Sequence, residues 1–284
     1  MITGLLISVT LTMSLQNCFR KNYQRNPSPN KIGSYGYNLI TVVTAWLFFW
    51  LMPKTGAPLP GSIFLYAAAF AIAFFCAMFF MLRAIEEGPL SLSALINSYS
   101  LIIPTFFGVF FLRESFGSFK LMGIALLMVS LYLVGSSKNT DPLSGRWMLF
   151  ITLSFLGNGL CSTVQKVYQV HSGGQFKAEF MLIALTVTSV AALAAALIRE
   201  RRLPLFTGGK GGLSAVGCGA CIAATNMIVM MLAKYPSALV YPTISGGSVI
   251  LTFLISKFLY REQLTSRKNA GFLIGVLAVI FLNL

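Results

Sequence analysis

The residues best suited to chemistry are amides and hydroxyls set inside apolar sequence. Ser14, Gln16 and Asn17 interrupt the first apolar stretch; Asn158, Ser162, Gln165 and Lys166 interrupt the sixth. In the fourth, Ser93, Asn97, Ser100, Pro104 and Gly108 recur at steps of four, three, four and four, which puts them on one helix face. Tyr241, Ser245, Ser248, Thr252 and Ser256 repeat the same spacing in the ninth. The eighth adds Thr225 and Asn226, where a buried amide serving the backbone is an equal alternative. Amides and hydroxyls both donate and accept hydrogen bonds, so together they suit a neutral or zwitterionic solute. Lys166, next to Gln165, is a candidate partner for an anionic one. A polar face is costly against hydrocarbon, so each stripe must turn toward protein or water. For its Ser, Thr and Gly members, close helix packing is the competing role. Asn97 and Tyr241 are too large for close backbone approach and are assigned to a cavity.

Bond-making chemistry is poorly equipped. Lipid-embedded hydrolases and transferases need a nucleophile with its base, a metal cluster or a carboxylate pair. Here the single histidine, His171, and the single aspartate, Asp141, both fall in loops. Glu86, Glu87, Glu114, Glu179 and Glu262 fall near helix ends, where interface anchoring is the expected role. Cys18, Cys76, Cys161, Cys218 and Cys221 lie in or beside apolar segments; the Cys218/Cys221 pair lacks the histidine partners of a metal site. Gly208-Gly209-Lys210-Gly211-Gly212 lacks the spacing of a phosphate loop and reads as a linker. No catalytic residue, metal or cofactor is expected, and an intramembrane enzyme is the weakest functional alternative.

These side chains must be positioned by membrane helices. Of 284 residues, 56% are hydrophobic and only 10% charged, with a mean hydropathy of +0.79. A soluble chain carries about 25% charged residues, so water is not the main solvent here. Stretches of about 20 apolar residues run over 2–18, 38–53, 61–85, 90–112, 117–136, 146–169, 178–198, 213–233, 237–259 and 267–284. Ten transmembrane helices are expected, with no soluble module between them. The first stretch has no basic residues before it and no small-residue cleavage pattern, so it reads as a helix rather than a signal peptide. The net charge of +14 comes from cations flanking apolar segments. Their expected partners are lipid headgroups, not nucleic acid.

The chain also repeats itself. Moved forward by 148 positions, residues 83–134 fall on 231–282 without a gap, pairing Arg113-Glu114 with Arg261-Glu262, Ser118 with Ser266, Lys120 with Lys268 and Gly123 with Gly271. A shift of 149 pairs Gln16 with Gln165. Residues 1–136 and 146–284 are thus two five-helix repeats, joined by a linker over 137–145. Five is odd, so the two halves must be inverted in the membrane.

In these features the sequence resembles the drug/metabolite transporter (DMT) superfamily, in its ten-helix EamA-type branch. The likeness is carried by the Arg-Glu loops, by the Gly271-Phe-Leu-Ile-Gly275 helix and by Ala84-Ile-Glu-Glu-Gly-Pro-Leu-Ser-Leu-Ser-Ala-Leu at the join of third and fourth helices. The resemblance implies transport of a small metabolite by alternating access through a central cavity, in the cell membrane. Amino acids, nucleosides and vitamins all fit a cavity of amides and hydroxyls, while a passive channel is the alternative use of the paired stripes. The first helix lacks the mid-membrane glutamate of the related four-helix multidrug exporters, so their proton exchange is not expected. The GxxxG at Gly271 and Gly275 fits packing within a monomer or a homodimer contact. Orientation is in conflict: fifteen basic residues on one face against six on the other place both termini outside, whereas the resemblance implies cytoplasmic termini.

Overall fold

A computed structural model describes residues 2–25, 33–87, 93, 96–97, 99–113, 117–135, 144–200, 210–258 and 266–283. The helices are α1 (Ile2–Arg25), α2 (Ser34–Leu51), α3 (Ser62–Glu87), α4 (Ile102–Phe111), α5 (Ser118–Gly135), α6 (Gly145–His171), α7 (Lys177–Glu200), α8 (Lys210–Leu232), α9 (Ser237–Phe258) and α10 (Ser266–Asn283). Each expected apolar stretch overlaps one of them. Among the described residues the protein is an all-α bundle. Five of these helices are by themselves long and apolar enough to cross a membrane. Its outer surface shows large apolar side chains, with Leu51, Ile198 and Leu213 each about three-quarters exposed. Polar Ser14, Ser154, Gln165 and Ser248 are buried instead. That arrangement is stable only where hydrocarbon surrounds the protein.

Two elements depart from the sequence reading. α8 begins inside the glycine run, at Lys210, rather than after it. The fourth helix is not continuous, because residues 100–101 form a turn. Pro104 has no N–H to give the Ser100 carbonyl, and the Ile103 N–H takes that carbonyl instead at 3.0 Å. The stripe of Ser93, Asn97, Ser100, Pro104 and Gly108 is therefore split in two. Glu114, Asp141, Arg261, Glu262 and the side chains of Thr252 and Ser256 lie outside the described residues.

The halves are inverted and interleaved. Ser154 of α6 donates to the Ala77 carbonyl of α3, while Tyr66 meets Tyr168 and Phe80 meets Phe150. α3 and α6 thus run antiparallel. Gln16 near Cys221 and Phe19 near Ser214 make α1 and α8 antiparallel. Phe119 against Phe281 and Ser130 against Gly271 do the same for α5 and α10. The main helix contacts cross between halves, and they exchange in pairs when five is added to each helix number: α1 with α8 becomes α6 with α3, and α1 with α9 becomes α6 with α4. At the α6–α7 turn, Gly173 and Gly174 adopt φ of 61° and 78°. The Gly174 N–H closes the helix end on the Gln169 carbonyl at 2.8 Å.

Close approach explains several small residues. A Cβ on Gly157 would lie 2.8 Å from the Ala73 carbonyl oxygen and from the Ala77 nitrogen. The α3–α6 interface is therefore backbone against backbone, the van der Waals packing that holds helices together in lipid.

Candidate functional site

Between the halves lies a cavity of about 110 Å³, several times the room one water needs. α1 presents Met13, Gln16, Asn17 and Arg20 to it, and α6 presents Asn158, Cys161, Ser162 and Gln165. α8 contributes Ile222, Thr225, Asn226 and Val229; α9 contributes Tyr241, Ile244 and Ser248; Asn97 and Leu101 come from the chain before α4. Phe74 and Met81 of α3 complete the wall.

Hydrogen bonds hold these side chains in place. Gln16 Nε2 donates to Thr225 Oγ1 at 2.7 Å and to the Cys221 carbonyl at 3.3 Å. Thr225 in turn donates to Thr12 Oγ1 at 2.8 Å. Gln165, the repeat counterpart of Gln16, donates to Asn226 Oδ1 at 2.7 Å, and Asn226 Nδ2 donates to the Ile222 carbonyl at 2.8 Å. Both glutamines therefore bind α8. Asn158 Nδ2 donates to Ser100 Oγ at 2.6 Å and to the Asn97 carbonyl at 3.5 Å, while Ser154 donates to Asn97 Oδ1 at 3.2 Å. Tyr241 donates to the Ser162 carbonyl at 3.2 Å, and both residues line the cavity.

Ten of the residues singled out in the sequence line this space: Gln16, Asn17, Asn97, Asn158, Ser162, Gln165, Thr225, Asn226, Tyr241 and Ser248. Five do not. Ser14 is buried and donates to the Ser248 carbonyl at 3.3 Å; Ser93 accepts from Trp147 Nε1 at 3.1 Å. Ser100 donates back to the Asn97 carbonyl at 2.6 Å, and Ser245 is buried, its carbonyl accepting from Ser248 at 3.0 Å. Lys166, only 3% exposed, gives its ammonium to the Tyr235 carbonyl at 2.6 Å, just past the end of α8. That cation serves a helix terminus, the end that favours positive charge.

Sequence reasoning passed over Arg20. It stands with Lys21 and Arg25 in a basic flank and so read as a headgroup anchor. The signal was its spacing: Met13, Gln16, Asn17 and Arg20 are the i, i+3, i+4 and i+7 members of one helix face.

Two apolar clusters bound the site along the helix axes. One joins Leu6, Val9, Val229, Leu232, Val240 and Ile244, where α1 and α9 begin and α8 ends. The other joins Met81, Ala84, Trp147 and Ile151, with Ile96 against them, where α3 ends and α6 begins. The repeat relates them: a shift of 148 carries Met81 to Val229, Ala84 to Leu232 and Ile96 to Ile244. Inversion puts the two clusters at opposite ends.

Residues 2–136 match the model of the EamA-like transporter family. Over that stretch the chain is similar to EamA-like transporters. Its long apolar helices make the protein integral to its membrane and multi-pass. One solved crystal structure, described only as that of a protein, shares the fold with a TM-score of 0.76, covering 100% of this chain and 98% of its own. At 12% identity that likeness concerns the fold alone. Among curated proteins none matches the sequence.

Proposed function

We propose that this EamA-type protein is a secondary transporter that moves a small polar metabolite across the cell membrane by alternating access. The observation that carries this reading is a polar cavity bounded at each end by apolar clusters that the repeat makes equivalent. Two inverted halves have two packings of nearly equal free energy, related by exchanging their roles. In one packing the first cluster closes while the second loosens; in the other the roles reverse. The amides suit a solute rich in donors and acceptors, such as an amino acid, nucleoside or vitamin, and an ion or solute gradient supplies the driving force.

The test is flux into liposomes containing the purified chain, measured across a panel of labelled metabolites. Saturable, competable uptake is expected. Asn97→Ala and Gln165→Ala should abolish it while expression and melting behaviour persist. Linear flux without saturation would refute alternating access, and unchanged rates in both variants would remove the site.

A further inference from the structure

Arg20 is the one charged side chain among the described residues lining the cavity. A guanidinium stays protonated in any protein environment, so a half-buried one must find an anion, a carbonyl or water. Lys166, aligned by the repeat with Asn17, shows one solution, since its ammonium is spent on the Tyr235 carbonyl. Arg20 has no such tie among the described residues. Glu179, a buried carboxylate, is not available to it: it accepts the Thr55 N–H at 2.6 Å and does not line the cavity. Asn17, less than a turn before Arg20 on the same face, lines the cavity beside it.

We infer that the transported solute carries an oxyanionic group, carboxylate or phosphate, received by Arg20 and the Asn17 amide at the end of the cavity nearest the α1 C-terminus. This rests on the transporter reading and narrows it. A guanidinium offers paired N–H donors that match two oxygens of one anion, and Asn17 adds a neutral donor alongside. The rest of the solute then lies against Asn158, Ser162 and Gln165. No carboxylate lines the described wall, so a solute whose only charge is positive is disfavoured.

The experiment uses the full chain in lipid-free detergent, with its melting temperature read against small carboxylates and phosphate monoesters, each beside its amide or alcohol counterpart. At least one anion should raise the melting temperature where its neutral counterpart does not. Arg20→Gln should weaken that anion roughly ten- to hundredfold, the range for a charge-assisted hydrogen bond, and Arg20→Lys should restore part of it. The ligand-free melting temperature of each variant shows that it is folded. Carboxylates alone or phosphates alone raising the melting temperature identifies the group, and either result supports the inference. Neutral members binding as well as anions, with Arg20→Gln silent but Asn158→Ala damaging, overturns the inference and leaves the transporter reading standing. Stabilisation by added phosphatidylglycerol alone, with no effect of any soluble anion, also overturns it and makes Arg20 a lipid anchor. Loss of all binding dependence on both Arg20 and Asn158 sinks the cavity reading itself.

Discussion

Two glycine substitutions separate backbone packing from side-chain packing in this bundle. At Gly157 an added Cβ would meet the Ala73 oxygen and Ala77 nitrogen at 2.8 Å and the Ala77 Cα at 3.1 Å. Every one of these is a main-chain atom, so α3 and α6 must separate by at least about 0.6 Å to restore ordinary contact. Overpacking of this kind costs about 1–3 kcal/mol, offset by the roughly 0.5–1 kcal/mol that alanine gains over glycine in a helix. A net loss of about 1–2 kcal/mol is expected for Gly157→Ala. At Gly217 the added Cβ would instead meet the Phe19 ring, at 2.5 Å and 2.6 Å from Cζ and Cε1. That clash is with the far end of a side chain. Phe19→Leu should therefore rescue Gly217→Ala, with a coupling of about 1 kcal/mol in a double-mutant cycle. Ala77→Gly should not rescue Gly157→Ala, because the atoms struck remain. The assay is equilibrium unfolding in mixed micelles titrated with sodium dodecyl sulfate. Gly4→Ala serves as control, since nothing lies within 4 Å of its added Cβ. The packing argument is refuted if Gly157→Ala proves as stable as Gly4→Ala, or if Ala77→Gly restores it.

Lys166→Met removes the charged hydrogen bond that ties α6 to the turn after α8; a loss of about 1.5–3 kcal/mol is expected. Solute selectivity should not change, and a switch between anionic and neutral solutes in liposome uptake would return Lys166 to the site. In the helix order, by sequence position alone, fifteen of the 21 basic residues fall in or beside the connections that follow odd-numbered helices, on the side where α1 ends. That face should be cytoplasmic, so a C-terminal alkaline phosphatase fusion is expected to be active, and an inactive one with a fluorescent cytoplasmic counterpart refutes the charge count.

The ten helices and their inverted order were legible because hydropathy and repeat register are properties of the chain read in one dimension. The Arg-Glu and Gly matches at one fixed offset were enough to require two five-helix units, and an odd number forces inversion. The amides of the first and sixth helices were legible too: a side chain such as Gln165 cannot face hydrocarbon, so its burial follows from its chemistry. Residues with a second way to be satisfied were not legible. A serine can return its hydroxyl to a carbonyl a turn away, as Ser100 does, and need not face a cavity. Lys166 and Arg20 looked alike as cations near helix ends, yet one is held by a carbonyl and the other faces the cavity.

What the sequence by itself determined is the solvent, the helices and their pairing into inverted halves, since each depends on residue type and spacing alone. Only the tertiary structure decided which face of each helix turns inward. Periodicity ranks residues by angle around their own helix, but the zero of that angle is set by neighbours from the other half. The α3–α6 contact at Gly157, the break before Pro104 and the α1 face ending at Arg20 are all consequences of that interleaving, and none is a property of one helix alone.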